Sequence, residues 1–158
     1  MNIITEEHIE NIIDRLEADE ELFLKYRQKL IDNEPALSGF LTQESFDILN
    51  DDEYDLLWFV TTLIYTVFTE KNNLIKPLEA EVIDETEEVN WELLNQRENA
   101  SFSERLDAFF DETEQEDLMA FLEDCIEPDD EVDITSVGRE LIFIAGATLI
   151  NVLEMAAD

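Results

Sequence analysis

LLWFVTTLIYTVF, residues 56–68, is apolar on nearly every face, as a helix must be when other helices surround it. Asp52, Glu53 and Asp55 precede this run of 13 residues and Glu70 follows it. A bilayer span needs about 20 apolar residues, so burial inside protein is the expected environment. A second run of the same length, LIFIAGATLINVL, occupies residues 141–153. Its Ala145, Gly146 and Ala147 lack bulk where another helix can approach closely. The two runs are expected to form the centre of the domain, packed antiparallel or crossed.

Weaker amphipathic patterns surround them. Ile9, Ile12, Ile13 and Leu16 recur at i, i+3, i+4 and i+7, with Thr5 offered as N-cap. Asp19 is a candidate cap for a second helix carrying Phe23, Tyr26 and Leu30. Pro35 suits a first helical position, and Leu37, Phe40, Leu41 and Ile48 continue the pattern toward Asn50. Val82, Val89, Leu93 and Leu94 suggest a further helix, but six acids between Glu79 and Glu88 predict a mobile first half. Ser101 with Glu104, and Thr113 with Glu116, have the spacing of capping boxes. These would open helices presenting Phe102, Leu106, Phe109 and Phe110, then Leu118, Phe121, Leu122 and Cys125.

Composition points the same way. The 158 residues suit one domain, 45% are apolar, and ten phenylalanines supply core volume. Three glycines and three prolines are too few for the turns of a sandwich or barrel. Together these features predict one all-α domain over residues 1–158, a compact bundle of about six or seven helices around two apolar ones. A faint echo links PALSGFL (35–41) and its following apolar run to QEDLMAFL (115–122) and the second run. That echo admits a degenerate internal duplication, or only the common pattern of an amphipathic helix before a buried one.

Charge excludes more than it identifies. Asp and Glu number 42 against 9 Lys and Arg, a net charge of −33. Direct nucleic-acid binding needs cations to displace counterions, and anionic membranes need them too, so neither is an expected ligand. Nothing at the N-terminus has the basic, apolar and small-residue order of a secretory signal, and the expected location is cytoplasmic. Cys125 has no partner for an internal disulfide and reads as a small core residue.

Motifs for common chemistries are missing. One histidine, His8, and one cysteine cannot build a zinc site or a di-iron Glu-x-x-His pair. No Gly-x-Ser-x-Gly elbow occurs, and Gly39, Gly138 and Gly146 form no phosphate loop. The sequence therefore predicts no enzyme, no cofactor and no metal. The nearest motif is a calcium loop, with Asp129, Glu131, Asp133, Thr135 and Glu140 at offsets 1, 3, 5, 7 and 12. Ile134 stands where such a loop needs glycine, so an acidic connector is the better reading. Trp58 is expected in the core and Trp91 against the domain; Lys25, Arg27 and Lys29 form the one basic cluster.

The remaining candidate is a surface. Between residues 104 and 133 stand fourteen acids and a single base, Arg105. They are Glu104, Asp107, Asp111, Glu112, Glu114, Glu116, Asp117, Glu123, Asp124, Glu127, Asp129, Asp130, Glu131 and Asp133. This pattern suits a non-enzymatic interaction or inhibitor module with a basic protein as partner. A narrower alternative is DNA mimicry, because helical neighbours about 5 to 6 Å apart approximate phosphate spacing. An enzyme or a cation-binding protein ranks behind both. Adaptation to high salt fits poorly with fifteen isoleucines and ten phenylalanines.

Overall fold

The computed structural model describes residues 1–129, 131 and 133–158. Along the chain lie α1 (Glu6–Ala18), α2 (Leu22–Asn33), α3 (Pro35–Leu41), α4 (Asp51–Lys71), α5 (Ala80–Asn95), α6 (Phe102–Asp111), α7 (Glu116–Cys125) and α8 (Ser136–Ala156). The all-α bundle expected from composition is what forms, with eight α-helices among the described residues. A single 3₁₀ turn, Glu44–Phe46, precedes α4.

The two apolar runs became the two 21-residue helices α4 and α8, buried almost continuously over Leu57–Phe68 and Ile142–Ile150. Phe59 is the half-buried exception in the first of these segments. Neither an antiparallel nor a crossed arrangement holds. At one end the Glu53 carboxylate accepts hydrogen bonds from Thr135, the N-cap of α8. At the other, Leu74 bridges Ala157, the Ile75 amide donates to the Ala156 carbonyl at 2.8 Å, and the Asp158 amide donates to the Asn73 carbonyl at 2.9 Å. Both pairs of ends meet, so α4 and α8 run parallel. A direct turn could not allow this, but residues 72–135 carry three helices and return the chain to the starting end. By length and composition α8 could also cross a membrane; here it lies against α4, α5 and α7.

Gly146 marks the approach of α7 rather than α4. A Cβ there would stand 2.5 Å from Leu122 Cδ1. Two buried threonines of α4 bond back along the helix, Thr61 donating to the Leu57 carbonyl and Thr66 to the Thr62 carbonyl, each at 2.7 Å, whereas the buried Thr62 hydroxyl finds no partner among the described residues.

Several local expectations shift. Thr5 caps α1 as expected, and His8 returns the bond through Nδ1, so this histidine completes a capping box. Asp19 ends α1 and accepts from the Glu21 amide, opening a turn rather than capping α2 directly. Pro35 does open α3, but the helix stops at Leu41 and Ile48 is 68% exposed. Asn50, read as an end, is the N-cap of α4 in a capping box with Glu53. The acidic start of α5 is continuous helix from Ala80: Glu81, Asp84, Glu85 and Glu88 face solvent while Ile83 turns inward. Ser101 caps α6. Thr113 does not cap α7, which starts at Glu116 behind a buried Gln115.

The order of elements repeats. Each half consists of two helices, a shorter or equal third one and a 21-residue buried helix. The third helix of each half packs on the first of the other, α3 on α5 and α7 on α1. This reciprocal exchange extends the faint echo in the sequence to the level of packing.

Candidate functional site

The acidic region is built on aromatic anchors. Phe109 meets Phe143 of α8 edge-on at 4.9 Å, Phe102 meets the same ring at 6.3 Å, and the Arg139 guanidinium lies 4.4 Å over Phe102. Leu106 and Phe109 from α6, with Leu118, Met119 and Leu122 from α7, are buried. Burying those faces leaves the acids outside. Glu104, Asp107 and Asp111 follow one stripe of α6; Glu116, Asp117 and Asp124 are exposed on α7, and Glu112, Glu114, Glu127, Asp129, Glu131 and Asp133 on the connections. Glu123 is half-buried, and Asp130 lies outside the described residues.

Three neighbourhoods result. Asp107, Asp124 and Glu127 converge on Glu123: burial raises the Glu123 pKa first, and the charges of Asp124, Glu127 and Asp107 raise it further. Asp111, Glu112 and Glu114 gather instead around Glu154 near the C-terminal end of α8. Glu131 lines a depression with Asp52, Asp55, Leu56 and Phe59, beside the start of α4. At 1.5 Å per residue, Glu154 and the α8 start at Ser136 are about 27 Å apart. The sequence run therefore reaches both ends of the molecule.

Of the nearby cations, Arg97 reaches the Glu104 carbonyl at 3.4 Å, while Arg105 and Arg139 are engaged elsewhere. Arg105 donates to Glu140 at 2.9 Å and to the Leu94 carbonyl at 3.0 Å; Arg139 donates to the Ile126 carbonyl. Among the described residues the salt bridges are Arg15–Glu70, Lys76–Glu79 and Arg105–Glu140, and none uses a candidate acid. Asp117 accepts from the Glu6 amide at the start of α1, a helix-capping contact that leaves it exposed. Arg27 of the basic cluster lies 5.8 Å over the buried Trp58 ring, while Trp91 packs half-buried against the core.

Two positions of the calcium-loop pattern are committed. Thr135 donates its hydroxyl to Glu53 and accepts from the Gly138 amide, and Glu140 pairs with Arg105. Among the described residues no three His, Cys, Asp or Glu side chains are placed so that they could hold one metal ion together. Cys125 is half-buried, its thiol pushed up to about 12 by burial and then by the Asp124 charge.

The polar residues most deeply used were not legible as such. Glu53, 1% exposed, takes the Asn50 amide on one oxygen and the Thr135 amide and hydroxyl on the other. Burial pushes its pKa up, yet these hydrogen bonds from Asn50 and Thr135 outweigh it and the net shift is downward. The carboxylate also sits at the positive ends of two parallel helix dipoles. Gly138 is required beside it, because a Cβ there would stand 1.7 Å from Glu53 Oε2. The Asn50–x–x–Glu53 spacing was the available signal. Gln115 has no local sequence signal: its side chain accepts from the Ile4 amide and donates to the Asn2 carbonyl, more than 110 positions away. The chain matches no family model, no curated protein and no solved structure.

Proposed function

We propose that the protein is a non-enzymatic interaction or inhibitor module that engages a basic protein through the exposed acids of α6, α7 and their flanking connections. The observation that carries this reading is electrostatic. Twelve candidate acids are exposed, and the nearby Arg105 and Arg139 are held by Glu140, backbone carbonyls and Phe102 instead. A surface of one sign accelerates encounter with an opposite partner and makes binding fall with salt.

DNA mimicry is the narrower form. The stripe Glu104, Asp107 and Asp111 favours it, since successive helical neighbours approximate phosphate spacing. One experiment separates the readings: capture from the source lysate at low and high salt, with the parent and a variant carrying Gln or Asn at Glu104, Asp107, Asp111, Glu116 and Asp124. A basic protein captured only by the parent at low salt supports interaction. Release of that protein by DNA supports mimicry. Equal capture by parent and variant removes both.

A further inference from the structure

We infer that the groove between α5 and α8 is the docking site for a basic amphipathic helix of a partner protein. The inference rests on the interaction reading above and assigns it a place and a partner chemistry. Val89 and Leu93, one turn apart on α5, and Met155 on α8 line an open groove of about 610 Å³. Val89 is 60% and Met155 58% exposed, and a second depression shares Met155, Glu112 and Glu154 with the first and leads on to Met1. Three of the chain's exposed large apolar residues thus lie along one track.

The floor favours apolar contact. The Asn90 amide nitrogen donates to Thr148 at 3.0 Å and to Asn151 at 3.1 Å, so this donor is already engaged within the protein. Acids stand on both sides of the rim, interspersed with the neutral Thr86, Gln96 and Thr113. Glu85 and Glu92 stand on the α5 side, Glu112 and Glu154 on the other, and Asp111 and Glu114 continue along the second depression. No lysine or arginine side chain lines either one. An apolar stripe flanked by acids fits a helix with an apolar face and lysines or arginines at its edges. A second copy of this chain fits badly, because it would bring another −33 and the same acids against the rim. The thioether of Met155 can adapt its shape to such a face.

The test uses the full chain with methyl-labelled methionine and a helical leucine–lysine peptide whose leucines recur at i, i+3, i+4 and i+7. A peptide of the same composition with scrambled order is the control. Met155 reports the groove, whereas Met119 is fully buried and reports the core. At low salt the patterned peptide should shift the Met155 methyl resonance and leave Met119 unmoved. Val89→Asn and Met155→Asn, both at exposed positions, should each weaken binding at least about fivefold through lost apolar burial, while Ile48→Asn should not. If both peptides bind equally and Met155 stays still, the groove assignment is overturned and the anionic-surface reading survives. If neither peptide binds, both readings fail. A Met155 shift that depends on concentration of the protein alone would replace the partner helix by self-association.

Discussion

The two ends of the central helix pair each bury a glutamate, and they treat it in opposite ways. Glu53 at the N-terminal end is 1% exposed and receives three hydrogen bonds, which hold its pKa below the ordinary carboxylate range despite burial. Glu34, beside Tyr65 near the C-terminal turns of α4, is 3% exposed and receives one, from the Leu78 amide at 2.8 Å. Burial pushes its pKa up and that single donor offsets only part of the rise. Surface exposure is nearly equal, but Glu34 is packed more deeply, so fewer donors and heavier desolvation together raise its pKa, whereas donors and helix dipoles hold Glu53 down. Tyr65 records the same environment: burial first, then the Glu34 charge, push its phenol up to about 12.

The largest effect would abolish both ends at once. Leu63, 1% exposed, lies midway along α4, and Leu63→Asp should unfold the domain. An unpaired buried charge costs several kcal/mol against a usual total stability of about 5 to 15 kcal/mol. Loss of the helical circular dichroism signal at 25 °C is the measurement; a folded variant would show that α4 is not central.

The same substitution at each end should then separate the two glutamates. Glu53→Gln places an amide among three donors and should cost about 2 to 4 kcal/mol in urea unfolding at pH 7. Glu34→Gln should stay within about 1 kcal/mol of the parent or stabilise it, because a costly buried charge is removed. Equal losses would show that donor number is not what distinguishes them. Gly138→Ala should resemble Glu53→Gln, since its Cβ displaces the carboxylate. In a Glu53→Ala background the glycine substitution should cost far less, as expected for contacting residues.

Acidification sharpens the contrast. Glu34, Glu87, Glu123 and Glu154 all have raised values, with burial the leading cause in each. Their folded forms bind protons more tightly than the unfolded chain, so the Tm should rise as pH falls from 7 toward the ordinary carboxyl value of 4.5. Glu53 has the opposite sign. Its contribution is present above that ordinary value and is lost as pH falls below it through its lowered folded value. The Tm should therefore pass through a maximum on the acid side of neutrality. In Glu53→Gln the rise should persist while the acid-side fall becomes shallower.

The smallest effect concerns the shell, not the helix ends. Raising salt from 0.01 to 0.1 M shortens the Debye length from about 30 to about 10 Å, which screens repulsion among surface acids. The parent Tm should rise over that interval, and neutralising Glu104, Asp107, Asp111, Glu116 and Asp124 should reproduce part of the rise. A flat parent response would mean that these charges are too well spaced or compensated to matter, and would weaken the case for a persistent anionic face.

Periodicity and local capping were readable in the residue order because each depends on neighbours a few positions apart. The 13-residue runs became the buried helices, Thr5 and Ser101 became caps, Pro35 opened α3, and the all-α class followed. Relative direction was not readable. Two helices apolar on every face pack equally well up or down, and only the return through residues 72–135, with Glu53 meeting Thr135 at one end and Leu74 meeting Ala157 at the other, made them parallel. The candidate surface divides in the same way. Sequence placed fourteen acids in one run, but the fold carried Glu131 to the start of α4 and Asp111, Glu112 and Glu114 to the far end of α8. It also set Val89 and Leu93 beside Met155, a juxtaposition invisible along the chain because those residues lie on separate helices. Local periodicity is fixed by the geometry of one helix; which faces meet, and which carboxylates find donors, is fixed only when the helices pack.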